Sequence, residues 1–186
     1  ISEEDQLRLN LGENCSQRAY SDLEIGSILL KLTQLGVEEK RLIEQYMPTL
    51  GLERSKKLAR DYLKAGEFSV GLKKLLHDLK VPLRVFNVLF RWDEKSRIAG
   101  KNLLDSIKPG VNKLRDLLEL IDEISRRDEI SPFQIIERDD LQSILKDSEP
   151  SRRYNRIHDI LFPLRYPKLS TLRKEVRLAL DRLKLD

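Results

Sequence analysis

The sequence predicts an all-α protein, because helical periodicity runs through nearly the whole chain. Apolar residues recur at intervals of three and four, as in helices that bury one face. Capping and turn signals separate these stretches, with a clear break at Pro109-Gly110. The alternating pattern of a strand occurs only at 7–11. We therefore expect a multi-helix domain followed by a C-terminal helical extension.

Caps and breaks place the individual helices. Ser21 and Glu24 form a capping box, in which the serine accepts from the backbone and the glutamate reaches back, and this helix ends before Gly36. Further helices are predicted at 37–47, 53–65, 70–80, 82–91 and 94–107. After the break, helices are predicted at 111–127, 132–137, 139–146, 151–161 and 170–185.

Composition limits the class of protein. The chain has 186 residues, of which 40% are hydrophobic and 35% charged, enough for one good core or two small ones. Its apolar runs are shorter than a membrane span and it lacks secretory signal features, so we expect no membrane partner. Cys15 is the single cysteine, which excludes an internal disulfide and fits the cytoplasm. Because the chain begins at Ile1, we expect it to be a piece of a longer protein.

The net charge of +4 conceals four blocks of alternating sign. Residues 1–50 carry −4, residues 51–100 carry +6, residues 101–150 carry −4 and residues 151–186 carry +6. Two separated basic blocks favour local surfaces that face a polyanion. The alternative is that both blocks are the solvated faces of ordinary helices.

A short cationic helix in the second block gives the most direct indication of a partner. A helix at 37–47 is followed by a tight turn at 48–51 and then by the helix at 53–65, which is the order of a helix-turn-helix. The second helix of that motif enters the major groove of duplex DNA. The predicted DNA contacts on this helix are Arg54, Ser55, Lys56, Lys57, Arg60 and Lys64. Arg54 would meet base edges and Ser55 a phosphate.

Three stretches between 13 and 92 carry a resemblance to a known family. Residues 13–24 (ENCSQRAYSDLE) keep the Glu, the Asn, the Leu and the closing Glu of an E-N-x-x-R box and its sequel. Residues 50–55 (LGLERS) are similar to an L-G-x-S-x-S turn, and 63–76 to the helices after it. Together they resemble the ParB partition-protein family, where its nucleotide-binding domain joins its central helix-turn-helix domain. Two positions depart from the pattern: Gln17 stands for the arginine, with Arg18 displaced by one, and Asp22 stands for the proline.

The resemblance implies a bacterial-type protein that binds double-stranded DNA in plasmid or chromosome partition, or in transcription regulation, as a possible homodimer. It implies that 1–20 are the remnant of a missing N-terminal domain and that the helix-turn-helix domain follows at 21–108. The break at Pro109-Gly110 separates that domain from a C-terminal helical region at 109–186. It also implies that Glu13 and Asn14 lie near the magnesium of a bound cytidine nucleotide, with Arg18 near a phosphate. Because Gln17 is uncharged and the other phosphate-binding boxes would precede Ile1, we favour a polar lead-in to the capped helix and expect no cofactor here.

Two other functions remain open. The helices could form a protein-interaction or oligomerisation module, or they could serve a CTPase or nuclease-like enzyme whose catalytic domain lies upstream. Within the chain itself we predict no enzyme and no metal site, because His77 and His158 fall in different helices and no catalytic motif occurs.

The last basic block leaves three interpretations open. It is a second DNA contact, a homodimer seam, or an amphipathic packing helix with a solvated face, and we favour packing. Its cationic residues are Arg152, Arg153, Arg156, Arg165, Lys168, Arg173, Lys174, Arg177 and Arg182.

Overall fold

The computed structural model describes residues 11, 19–147 and 149–183. Within these residues the chain forms helices and no strands, so the prediction of an all-α fold is confirmed. Of the possible strand at 7–11, only Leu11 is described, and it is helical. The chain divides into two compact units, Ile1–Phe90 and Arg91–Asp186. This division precedes the expected boundary at 108–109, because the helix predicted at 94–107 packs against later helices.

The first unit contains five helices within its described part. Helix α2 has three consecutive segments, of which the middle one is π-helical, and α5 continues into a 3-10 turn. The bounds are α1 Asp22–Gln34; α2 Glu39–Arg41, Leu42–Tyr46 and Met47–Thr49; α3 Lys56–Gly66; α4 Val70–Asp78; and α5 Leu83–Phe86. The 3-10 turn Asn87–Arg91 follows α5, and its last residue begins the second unit.

Serine caps begin three of these helices. The capping box at α1 is confirmed: Ser21 Oγ accepts from the Glu24 amide at 3.3 Å, and Glu24 Oε2 accepts from the Ser21 amide at 2.8 Å. Ser55 caps α3 by accepting from the Leu58 amide at 3.2 Å. Each cap satisfies a backbone donor that a helix start leaves unpaired.

The π-helical turn in α2 has a local cause in the sequence. Pro48 has no amide hydrogen, and its ring clashes with the carbonyl four residues earlier in a regular α-helix. Widening the turn at Leu42–Tyr46 relieves this conflict, and Leu42, Tyr46 and Met47 all remain buried.

Helices α1 and α3 cross where two glycines meet. A Cβ atom placed on Gly26 would lie 2.6 Å from the Tyr62 carbonyl oxygen and 2.9 Å from the Gly66 amide nitrogen. Such distances are far below van der Waals contact, so only hydrogen fits at this position. The two backbones therefore pack directly on each other, and the Ala59 and Tyr62 side of α3 is buried against α1.

Asp22, the first residue of α1, fixes two other elements. One carboxylate oxygen accepts from the Tyr62 hydroxyl at 2.8 Å, and the other accepts from the Leu83 amide at 2.6 Å. Hydrogen bonds to a charged acceptor are among the stronger ones in proteins. This single carboxylate thus holds α3 and the start of α5 to the N-terminal end of α1.

The second unit is built around α7, whose leucine and isoleucine stripe is fully buried. Helices α8 and α10 pack against α7, and α6 packs against both of them. The bounds are α6 Glu94–Ile107, α7 Val111–Asp128, α8 Pro132–Ile136, α9 Asp139–Asp147, α10 Pro150–Arg165 and α11 Pro167–Leu183.

A buried carboxylate stabilises one end of this unit. Asp122, only 3% exposed, accepts from the Trp92 indole at 3.1 Å and pairs with Arg91 at 2.7 Å and with Arg126 at 3.0 Å. A buried charge is tolerated when it is paired and hydrogen-bonded in this way. Asp122 therefore holds the segment before α6 against α7.

We predict that Gly26→Ala lowers the free energy of unfolding of the first unit by about 1–3 kcal/mol, because the added methyl group overpacks the helix crossing. The matched control is Gly71→Ala, which places the same methyl on an exposed helical position. There, stability is expected to stay unchanged or rise by up to about 1 kcal/mol. Urea denaturation followed by circular dichroism measures both, and equal stability of the two variants would contradict the close crossing.

Candidate nucleic-acid interface

The predicted cations of α3 and the residues before it lie on the surface. Helix α3 turns Ala59, Tyr62 and Ala65 inward, which leaves the positions between them outward. We use the name basic face for the five exposed cations Arg54, Lys56, Lys57, Arg60 and Lys64.

Arg54 and Ser55 lie before the helix rather than within it. The helix predicted at 53–65 begins at Lys56, with Ser55 as its N-cap in an extended conformation. Arg54 therefore belongs to the connecting loop, where its exposed side chain makes no ion pair or hydrogen bond with the described residues. The Ser55 oxygen accepts from Leu58, so only its hydroxyl hydrogen is left for another acceptor.

An acidic residue of α2 faces two members of the basic face. Glu39 lies 3.3 Å from Lys56 Nζ and 3.6 Å from Arg60 Nε. The lysine and arginine side chains remain 60% and 62% exposed, so both pairs are solvated. Solvated pairs contribute about 0–1 kcal/mol each, and their partners are readily exchanged. Sequence reasoning missed Glu39, since its approach depends on how α2 packs beside α3.

The other two cations differ in their surroundings. Lys57 makes no ion pair or hydrogen bond within the described part of the chain, and it is fully accessible to an external anion. Lys64 Nζ lies 5.7 Å from the centre of the Phe90 ring, within the range of a cation–π contact. Arg54 and Lys57 are thus the members whose charge is least compensated.

The helices around α3 pack as a group of three. Helix α1, the π-helical part of α2 and α3 all contact one another. A helix-turn-helix joins its two helices by three or four residues, whereas six residues, 50–55, separate Thr49 from Lys56 here. The tight turn predicted at 48–51 is therefore a longer connection, in which Gly51 adopts a φ of +75° that favours glycine.

The weaker site candidates do not form a described centre. Glu13, Asn14 and Arg18 lie outside the described residues. His77 is exposed on α4 with Nδ1 3.1 Å from Ser21 Oγ, while His158 on α10 pairs with Asp116 at 3.4 Å. In the part of the chain that the structure describes, no three His, Cys, Asp or Glu side chains cluster as metal ligands. None of the described helices is both long and apolar enough to cross a bilayer.

Arginines of the last basic block make contacts inside the second unit, and two of these contacts join different helices. Arg153 donates to the Ser106 carbonyl at 2.9 Å, and Arg165 pairs with Glu123. These contacts join α10 to α6 and α7. The side chains of Arg173, Lys174 and Arg182 lie outside the described part, while the apolar residues Leu169, Leu172, Val176 and Leu180 of α11 are about half exposed.

Comparisons with known proteins give no family for this chain. No protein-family model matches it, and neither the curated proteins nor the solved structures contain a significant match.

Burial, together with the hydrogen bond to Asp22, raises the pKa of the Tyr62 hydroxyl well above its ordinary value of 10.0. Below pH 10 the hydroxyl is neutral in the folded and unfolded states alike. Above pH 10 the unfolded chain loses this proton while the folded chain keeps it. We therefore predict that the free energy of unfolding falls above pH 10, by up to about 1.4 kcal/mol per pH unit from this group.

Tyr62→Phe should lower stability at pH 8, because the bond to Asp22 is lost, and should flatten the decline above pH 10. Chemical denaturation of the two proteins at matched pH values isolates this contribution from that of the lysines. An identical decline in both proteins would show that Tyr62 does not cause it.

Proposed function

We propose that the first unit binds double-stranded DNA through the basic face, as a helix-turn-helix domain of the ParB type acting in partition or transcription regulation. The observation that carries the proposal is the exposure of five cations on α3 and the loop before it, with two of them, Arg54 and Lys57, uncompensated within the described residues. Duplex DNA is the partner whose dense, regular negative charge suits such a short row of cations.

The start of α3 adds a second source of positive potential. The first backbone amides of a helix point outward unpaired, and the helix dipole adds to their partial charge. Here Ser55 satisfies one of these amides and Lys56 and Lys57 follow directly. A phosphate placed at this end would meet both the remaining amides and the lysine side chains. Arg54, in the loop just before, is suited to reach a guanine edge.

Glu39 is compatible with this proposal as a competitor for DNA. Its two ion pairs are solvated and weak, so a phosphate can replace the carboxylate at Lys56 and Arg60 at little cost. The Glu39 carboxylate repels any polyanion that approaches the basic face without displacing Glu39 from Lys56 and Arg60. Glu39 would thus lower the affinity for DNA of every sequence and leave the choice among sequences to other contacts.

The interaction-module hypothesis has one observation in its favour. Leu169, Leu172, Val176 and Leu180 follow one another at intervals of three and four along α11, and all are about half exposed. Such a stripe is typical of a helix that packs against another helix. A homodimer through α11 would accompany DNA binding by the first unit rather than replace it.

We predict that Arg54→Glu combined with Lys57→Glu reduces the affinity for duplex DNA by at least about 100-fold, because two cations that face the polyanion become anions. For the unaltered protein, log K against log salt should have a slope of about −4.5 if binding neutralises about five phosphates. Gel-shift or anisotropy titrations measure both. The matched control, Lys74→Glu with Lys80→Glu, reverses two exposed lysines outside the basic face. Equal affinity of the Arg54/Lys57 variant and the unaltered protein would refute the proposal.

We also predict that Glu39→Gln tightens DNA binding by about two- to fivefold at low salt, since Lys56 and Arg60 no longer share a carboxylate. Glu119→Gln, at an exposed position of the second unit, changes the net charge by the same amount and is expected to leave affinity nearly unchanged. If both variants bind alike, Glu39 has no specific role at the basic face.

A further inference from the structure

An open groove runs beside α4, apart from the residues of the basic face. It has a volume of about 510 Å³ and lies between the first half of α1 and the outward side of α4. A second depression of about 350 Å³ shares Tyr20, Leu23 and His77 with it and extends to Lys80 and Pro82. We use the name α4 groove for the two together.

The floor of the α4 groove is apolar. Leu23 and Ile28 of α1 line one side and Val70 of α4 lines the other; Leu23 is buried, so Ile28 and Val70 supply the accessible apolar surface. Val70 is 81% exposed, which is unusual for a large aliphatic side chain at the edge of a concave surface. Apolar surface in a concavity of this kind is typical of sites that receive apolar side chains.

The rim of the α4 groove carries a small excess of positive charge, from three lysines against two carboxylates. Both carboxylates keep their charge but are held at the start of α1, where Glu24 accepts from Ser21 in the capping box and Asp22 accepts from Tyr62 and Leu83. The lysines Lys74 and Lys80 make no ion pair or hydrogen bond within the described residues. Lys73 donates to the Gly66 carbonyl at 3.0 Å and has no acidic partner in that part of the chain. The groove therefore offers positive charge around an apolar floor.

We propose that the α4 groove docks an acidic amphipathic peptide segment of a protein partner, with Leu, Ile or Phe side chains on the floor and Glu or Asp side chains toward Lys73, Lys74 and Lys80. The lysines of the rim favour an acidic partner, and the apolar floor favours a peptide over a nucleic acid. A phosphate backbone has no apolar group to cover Ile28 and Val70, so DNA would leave that surface in contact with water. This site is separate from the proposed DNA contact and does not depend on it.

The probe for this site is a fluorescein-labelled helical peptide of about 15 residues, with leucines at intervals of three and four and glutamates elsewhere. Fluorescence anisotropy with the full 186-residue chain should give saturable binding that weakens with salt. A peptide with the same leucines and lysines in place of the glutamates should bind at least about tenfold more weakly.

Two variants locate the binding. Lys74→Glu with Lys80→Glu should weaken the glutamate peptide by about tenfold or more, because two rim charges are reversed. Val70→Asp should weaken it similarly, because the new carboxylate repels the acidic peptide and replaces part of the apolar floor. Both sites are exposed, so circular dichroism should show folded proteins. Arg54→Glu with Lys57→Glu is the matched control and should leave peptide affinity within about twofold.

Three outcomes would overturn the proposal. They are an absence of binding up to about 1 mM peptide, corresponding to less than about 4 kcal/mol of affinity; equal binding of the glutamate and lysine peptides; and weakening by the Arg54/Lys57 variant as large as that by the groove variants. If instead the groove variants lose duplex DNA binding and keep peptide binding, the groove is part of the DNA surface. Failure of the DNA proposal leaves the peptide result unaffected, so the two ideas are tested separately.

Discussion

The direct contact of two helix backbones at Gly26 and Gly66 determines how the first unit is arranged. With no side chain between them, α1 and α3 lie as close as helices can, and one whole side of α3 is buried. The residues left over are the cations of the basic face, so their exposure follows from the crossing. Asp22, one turn before Gly26, adds a polar restraint through Tyr62 and Leu83. The packing of α3 on α1 thus places the cations of the basic face in solvent, and these cations contribute little to that packing.

Electrostatics divides the outer surface of this unit into two chemically different sites. The basic face is cationic, with Glu39 paired to Lys56 and Arg60. The α4 groove is concave, with an apolar floor and lysines at its edge. A polyanion with no apolar groups suits the first site, and an acidic peptide with apolar side chains suits the second. If both proposals hold, one small helical unit carries two sites that do not compete with each other.

Much of the fold could be predicted from the sequence because its signals are local. The capping box at Ser21, the serine before α3 and the break at Pro109-Gly110 depend on neighbouring residues alone. The predicted start of α3 at 53 is three residues too early, since Glu53 and Arg54 fit a helix by composition while Ser55 is the better cap. The unit boundary, the Glu39 contacts and the α4 groove depend on residues far apart in sequence. No periodicity in the sequence encodes such contacts, so only the folded structure shows them.

The reach of Asp22 has a consequence for how the chain acquires its fold during synthesis. Its two partners lie 40 and 61 residues further along the chain, so both contacts close long loops. On a ribosome, α1 can form early, but Asp22 lacks one of its two hydrogen-bond donors until Leu83 has left the exit tunnel. The first unit therefore gains its final cooperativity only when nearly all of it has been translated. Until then α1 and α3 are joined by the glycine crossing and the bond between Asp22 and Tyr62, while the start of α5 is not yet attached.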